Sequence, residues 1–367
     1  MGKVLSILII GGGLAGSCAA LQLAKRGLQT EVAHQNSIAV QTASMVPLAL
    51  YNPAAALRAK KGWRAEECHK ALHGMIDELT EFLGHYSFVS KTGVLRPSLD
   101  EEMALHFKKS AETEGWPEGW VSWLEPGELK ERFPESEHRW GGLWVQAGMT
   151  FDTPALIKGL HQMLTEKYAC RISERKVVNL DESKTGVEVR FEDGSAITAE
   201  SVLLAAGASS KEIIKPVEFN LHPVKGQTIE IKRFLPETFS PSVSSRGYVS
   251  LHSHRVVVGS TYEHHFKDLN PTAQSAEFLL KKVPKSFPGV RLQQLSITKS
   301  WAGIRLTTPD RLPLLGLIPG KKRIYFSSGF GSKGIMFAPY CGICIADHIC
   351  NGNDLFPETD LHRQVYH

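Results

Sequence analysis

The sequence predicts an α/β plus α+β protein: a discontinuous nucleotide-binding domain wrapped around a second domain built on an antiparallel sheet. Three observations lead there. A continuous apolar run, residues 4–10, ends in Gly11-Gly12-Gly13 and precedes a helical pattern. Residues 222–262 alternate as antiparallel strands do. Near the end, a strand-like run at 323–328 again meets a glycine-rich turn and a helix, 334–350.

Length and composition agree. The chain has 367 residues, enough for about two domains. Its 42 Lys+Arg and 38 Asp+Glu leave a net charge of +4, which argues against a polybasic scaffold, and nucleic acid is not expected as a partner. With 42% hydrophobic and 22% charged residues, collagen, coiled coil and disorder are excluded. No apolar run approaches the roughly 20 residues of a membrane helix. Six unevenly placed cysteines make no disulfide framework, so a reducing, cytoplasmic location is expected. Cys341, Cys344 and His348 fall at helical spacing, but their apolar neighbours favour a packed helix, and no metal is expected.

In chain order, residues 4–10 read as a strand buried on both faces. Residues 17–26 read as a helix stopped by Gly27, and 30–34 as a second strand. That βαβ unit demands a parallel sheet. Residues 54–85 and 154–168 look helical. Five of the seven Trp lie between Trp116 and Trp144, in a stretch that either packs its own aromatics or roofs a ligand. Residues 187–191, 195–199 and 201–206 read as strands, the last closed by Gly207, and 273–283 as a helix.

Gly11-x-Gly13-x-x-Gly16 sits where a dinucleotide needs it. Gly11 permits the tight turn, Gly13 the approach of a pyrophosphate, and Gly16 close helix–strand packing. Leu14 and Ala15 open the helix, whose free N–H groups face the phosphates. The second strand normally ends in an acidic ribose anchor. Here His34 stands at that place, and Glu31 lies three residues early. A neutral imidazole accepts one hydrogen bond rather than two, so Gln35 or Asn36 is expected to share the ribose.

From this motif onward the chain resembles the D-amino-acid oxidase superfamily of FAD-dependent amine oxidoreductases. That group includes glycine oxidase, sarcosine oxidase and the oxidase domain of the bifunctional tRNA wobble-uridine modification enzyme. Ala43-Ser44 and Ala49-Leu50-Tyr51-Asn52-Pro53 resemble its flavin-passing segment. Leu203-Leu204-Ala205-Ala206-Gly207 is similar to its strand-to-glycine turn, and Pro223-Val224-Lys225-Gly226-Gln227 to its Pro-x-Arg-Gly-Gln. Trp301-Ala302-Gly303-Ile304-Arg305 with Asp310, and Gly329-Phe330-Gly331-Ser332-Lys333-Gly334-Ile335, resemble two further signatures.

The resemblance implies a discontinuous Rossmann-like FAD-binding domain, residues 1–85, 148–217 and 302–352. It implies an antiparallel-sheet substrate domain, 86–147 and 218–301, and leaves a tail, 353–367. Cofactor contacts are implied for Gly11, Gly13, Leu14, Ala15, Gly16, His34, Gln35, Ala43, Ser44, Val177, Ala206, Gly207, Arg305, Gly329, Gly331, Ser332, Lys333, Gly334 and Ile335. No Cys occurs between Trp301 and Asp310, so non-covalent FAD is expected.

The implied reaction oxidises the C–N bond of an amino acid or N-substituted glycine, by hydride transfer to flavin N5 and hydrolysis of the imine. Electrons pass to O₂ or another acceptor. Arg305 is implied as the substrate-carboxylate clamp, against a structural ion pair with Asp310. Tyr248 is implied beside it, against an ordinary strand aromatic. Lys333 either places charge near the flavin N1–C2=O edge or faces solvent. Alternatives of the same fold are a quinone-reducing dehydrogenase, a tRNA-modifying oxidase and an inactive flavin-binding subunit.

Overall fold

The computed structural model describes residues 5–35, 42–214 and 219–364. Five strands lie parallel at the centre of an eight-stranded mixed sheet. In order they are Ile324–Ser328, the second half of Ala196–Leu204, Leu5–Ile10, Thr30–His34 and Arg171–Glu174. The hairpin Val177–Glu182 and Val187–Phe191 adds antiparallel to the first half of Ala196–Leu204. Leu314–Leu317 closes the far edge beside Ile324–Ser328.

The apolar run is buried on both faces, as a central parallel strand must be. Ile7 and Ile9 join one core cluster; Leu8 and Ile10 join another. The first cluster packs against the helices Leu14–Lys25, Ala65–Leu83, Thr153–Glu166 and Gly334–Asn351. The first and last of these approach closely at Gly342, where a Cβ would lie 2.8 Å from the Cys18 carbonyl oxygen.

The second sheet also has eight strands. Their order is Ile297–Thr307, His222–Ile231, Arg255–Gly259, Tyr248–His252, Ser242–Ser244, Val94–Pro97, Gly142–Val145 and Val121–Leu124. All its pairings are antiparallel except Ser242–Ser244 with Val94–Pro97. Among the described residues, no helix is long and apolar enough to cross a membrane.

Several expected bounds shift. The helix read over 54–85 begins only at Ala65, because Ala56, Ala59 and Arg64 adopt positive φ, which an α-helix excludes. The two strands read at 195–199 and 201–206 are one, Ala196–Leu204, which changes neighbour midway. Ile297–Thr307 runs straight across the 301/302 division, because it pairs with His222–Ile231 along nearly its whole length. Within the Trp-rich stretch Trp144 meets Phe133 at 5.3 Å, while Trp120 packs outside it, against His69 of the Ala65–Leu83 helix, at 4.2 Å between centroids.

Candidate functional site

The glycine motif forms the turn between the first strand and helix. Gly11 has φ +114°, and a Cβ there would lie 2.4 Å from the Ala205 carbonyl oxygen. A Cβ on Gly16 would sit 1.8 Å from the Gly11 oxygen, and one on Gly13 would sit 2.8 Å from Ser44 Oγ. Gly13 caps the helix with no side-chain hydrogen bond. Leu14 N–H donates to Ser44 Oγ at 3.0 Å, which ties the Ala43–Met45 turn to the helix start. Ala15 follows in the first turn of that helix, half-buried.

Ala206 and Gly207 follow Ala205, so their turn abuts Gly11. Gln35 reaches that turn by donating from Nε2 to Ser209 Oγ at 3.5 Å. Asn36 lies outside the described residues. Val177 is buried in the same cluster as Leu8, Ile10 and Ala33, at the first rung of its hairpin.

A second glycine turn, Gly329 and Gly331 with positive φ, then Ser332 and Lys333, leads into the helix that Gly334 and Ile335 begin. A Cβ on Gly334 would lie 3.6 Å from Leu14 Cδ1, so the two helix starts converge. Gly331 N–H donates to the Leu306 carbonyl at 2.8 Å, joining this turn to the strand that carries Arg305. Burial, with Arg311 nearby, holds the Lys333 ammonium below its usual pKa. An uncapped helix start on a glycine cradle, facing a second glycine turn, fits a dinucleotide with an extended ring system.

At the second strand, Glu31 is buried and accepts from Ser173 Oγ and Arg175 Nη2, both at 2.8 Å. It is therefore committed away from a ribose. His34 Nδ1 lies 2.7 Å from the Gln35 carbonyl. Beside it stands His161, from Thr153–Glu166, with Nε2 3.0 Å from the Gly12 carbonyl and 3.1 Å from Ser17 Oγ. The sequence reading missed His161; 149 residues separate it from Gly12, and no motif marks it.

Burial, and then His34, push the His161 pKa down from 6.5 to about 4. Below about pH 6.5 the unfolded chain takes up a proton that the folded chain refuses. Stability from this group is thus complete above pH 6.5 and is lost as pH falls toward 4. Melting temperatures of the ligand-free protein should fall across that window, and those of His161→Gln should fall less steeply. Parallel curves would contradict the assignment.

Arg305 and Tyr248 share one face of the second sheet. Tyr248 pairs across Gly259 and Thr228 to Trp301, and Arg305 pairs with Val224 four residues further along. Both side chains lie on glycines. A Cβ on Gly226 would be 1.8 Å from Arg305 Nη2, and one on Gly259 would be 2.2 Å from Tyr248 Cζ. Nη2 donates to the Thr261 carbonyl at 2.8 Å and to Ser260 Oγ at 3.3 Å. The Tyr262 ring stacks on the guanidinium, its centroid 4.4 Å from Cζ. Among the described residues, Nε and Nη1 of Arg305 have no hydrogen-bond partner. Asp310 is instead paired with Arg363 at 3.0 Å, so the Arg305–Asp310 ion pair is absent. Burial raises the Tyr248 pKa, while the Arg305 cation opposes the rise.

A cavity of about 220 Å³ opens further along the strand that carries Arg305, and neither Arg305 nor Tyr248 lines it. Met45, Pro47 and Trp301 form its apolar wall, and Lys299, Glu230 and Arg255 its polar one. Arg255 is bound to Asp152 at 2.7 Å and to Glu230 at 3.1 Å.

Residues 6–348 match the family model DAO, FAD dependent oxidoreductase. The chain is 25% identical to the glycine oxidase of Bacillus licheniformis, over 95% of this chain and 94% of that one. It is 27% identical to the tRNA 5-methylaminomethyl-2-thiouridine biosynthesis bifunctional protein of Thiobacillus denitrificans. That match covers 98% of this chain but only 58% of the longer protein. The crystal structure of glycine oxidase from Geobacillus kaustophilus superposes with a TM-score of 0.79 at 22% identity, over 96% of this chain and 97% of that one. The glycine-cradled turns and the two sheets are thus those of a known lineage, and the chain belongs to the DAO family of FAD-dependent oxidoreductases.

Proposed function

We propose that this enzyme oxidises the C–N bond of a carboxylated amine, either an amino acid or an N-substituted glycine. Bound FAD supplies the acceptor for the hydride leaving the substrate Cα. The observation that carries the reading is the state of Arg305. Its guanidinium lies over Gly226, with Nε and Nη1 unpartnered among the described residues. A planar cation so held can donate to a carboxylate from either free edge, and a bidentate contact pairs one of these nitrogens with Nη2, whose longer bond to Ser260 Oγ then yields.

Tyr248 adds a neutral hydroxyl donor on the same face, because its raised pKa keeps it protonated. These two groups orient the carboxylate and so fix which Cα–H bond meets the ring. The cofactor-binding share of the chain is then residues 1–85, 148–217 and the part after Thr307. The substrate-binding share is 86–147 and 218–307, extended past 301 by the unbroken strand. FAD binds without a covalent link, because no Cys lies between Trp301 and Asp310.

The test is an anaerobic screen on the yellow holoprotein with glycine, sarcosine, proline and D- and L-amino acids. At least one carboxylated amine should bleach the flavin, and acid precipitation should release all of it as FAD. Bleaching by none of them would reject the substrate class, and colour left in the pellet would reject the non-covalent link. Turnover with H₂O₂ detection against dye reduction then identifies the electron acceptor.

A further inference from the structure

The cofactor turn is held from beneath by a histidine that no motif marks. The Gly12 carbonyl oxygen can only accept, and His161 Nε2 stands 3.0 Å from it. That nitrogen must carry the proton. Ser17 Oγ donates to the same oxygen at 3.2 Å. The Gln35 carbonyl likewise only accepts, so His34 Nδ1, 2.7 Å away, carries its proton as well. Neutral His34 then keeps a lone pair on Nε2.

The two rings close on Gly12 together. A Cβ on Gly12 would lie 3.0 Å from His161 Cε1 and 3.0 Å from His34 Cγ, and the ring centroids are 5.4 Å apart. Glu31, the nearest carboxylate on the strand, is occupied by Arg175 and Ser173. We propose that His161 is a positioning residue of the FAD site. Its Nε2–H fixes the Gly12 carbonyl and its ring braces His34, so that His34 Nε2 faces a ribose hydroxyl as an acceptor. A pair of neutral imidazoles from two distant segments thus stands in for the acidic anchor missing from the strand end. The inference rests on FAD binding alone and is independent of the substrate reading.

The test uses FAD-free protein and three ligands that compete with FAD: ADP, 2′-deoxy-ADP and 3′-deoxy-ADP. FAD affinity is read from the flavin fluorescence lost on binding. His161→Leu removes the donor, and His161→Gln returns an amide N–H at similar reach. His161→Leu should weaken FAD by a few-fold to about tenfold, the range of one neutral hydrogen bond. It should also erase the preference for ADP over one of its deoxy forms. His161→Gln should restore affinity to within about threefold of wild type.

Melting temperatures of the FAD-free variants separate positioning from packing. A lower melting temperature with unchanged FAD affinity and unchanged hydroxyl preference would overturn the proposal. So would a His161→Gln variant as weak as His161→Leu. Should His161→Leu fail to fold, His161→Asn takes its place, since its shorter amide stays polar but withdraws from Gly12. Wild-type affinity in that variant would likewise overturn the proposal.

Discussion

Arg305→Met is expected to lower kcat/KM for carboxylated amines by about two to four orders of magnitude, with FAD content unchanged. Methionine keeps much of the stem's packing and removes the fork. Each hydrogen bond to a charged group contributes roughly 1.5–3 kcal/mol, and a bidentate pair supplies two. Inside the fold the variant also gives up one bond to the Thr261 carbonyl, one to Ser260 Oγ, and stacking on an exposed tyrosine, a loss read separately as a lower melting temperature. Amines without a carboxylate should lose far less. Equal losses for both kinds of substrate would remove the carboxylate role. Loss of FAD or of folding would make Arg305 a structural residue.

Gly11→Ala is expected to abolish stable FAD binding. Two costs combine there. At φ +114° an L side chain is strained, and the new Cβ would meet backbone, the Ala205 carbonyl oxygen at 2.4 Å. Neither the first strand nor Ala196–Leu204 can retreat, because they pair with each other in the sheet centre. A cost of at least about 3 kcal/mol is expected, seen as a hundredfold or larger drop in FAD affinity or as a lower melting temperature. Gly84→Ala is the matched control. That glycine also has positive φ, but its Cβ would meet nothing within 4 Å. It should cost only about 1 kcal/mol. Equal effects at the two positions would show that the close approach at Gly11 is unimportant.

Much of the cofactor turn could be read from the sequence because it is local. Gly11, Gly13 and Gly16 are six residues of continuous chain, and their burial follows from the apolar run before them. The double-sided burial of residues 7–10 was legible for the same reason. What the sequence hid is long-range. His161 meets Gly12 across 149 residues, and nothing near it signals the contact. Gly226 stands in a family-like signature and Gly259 looks like an ordinary strand glycine, yet neither shows from the sequence that it is a floor, under Arg305 and Tyr248 respectively. The helix start at Ala65 was misread because Arg64 is an unremarkable helix former that here takes φ +43°. Its side chain stacks on Phe356, 3.7 Å from Cζ to the ring centroid, and pairs with Glu67. That is a tertiary arrangement overriding propensity.

The most direct test of the account counts product in a single anaerobic turnover. Holoprotein is mixed with an excess of whichever carboxylated amine bleaches it, and the 2-oxo acid is measured against flavin reduced. Oxidation at the carbon bearing the carboxylate, followed by imine hydrolysis, predicts one equivalent of 2-oxo acid per flavin. Flavin reduction without 2-oxo acid would place the oxidised bond elsewhere and contradict the role given to Arg305.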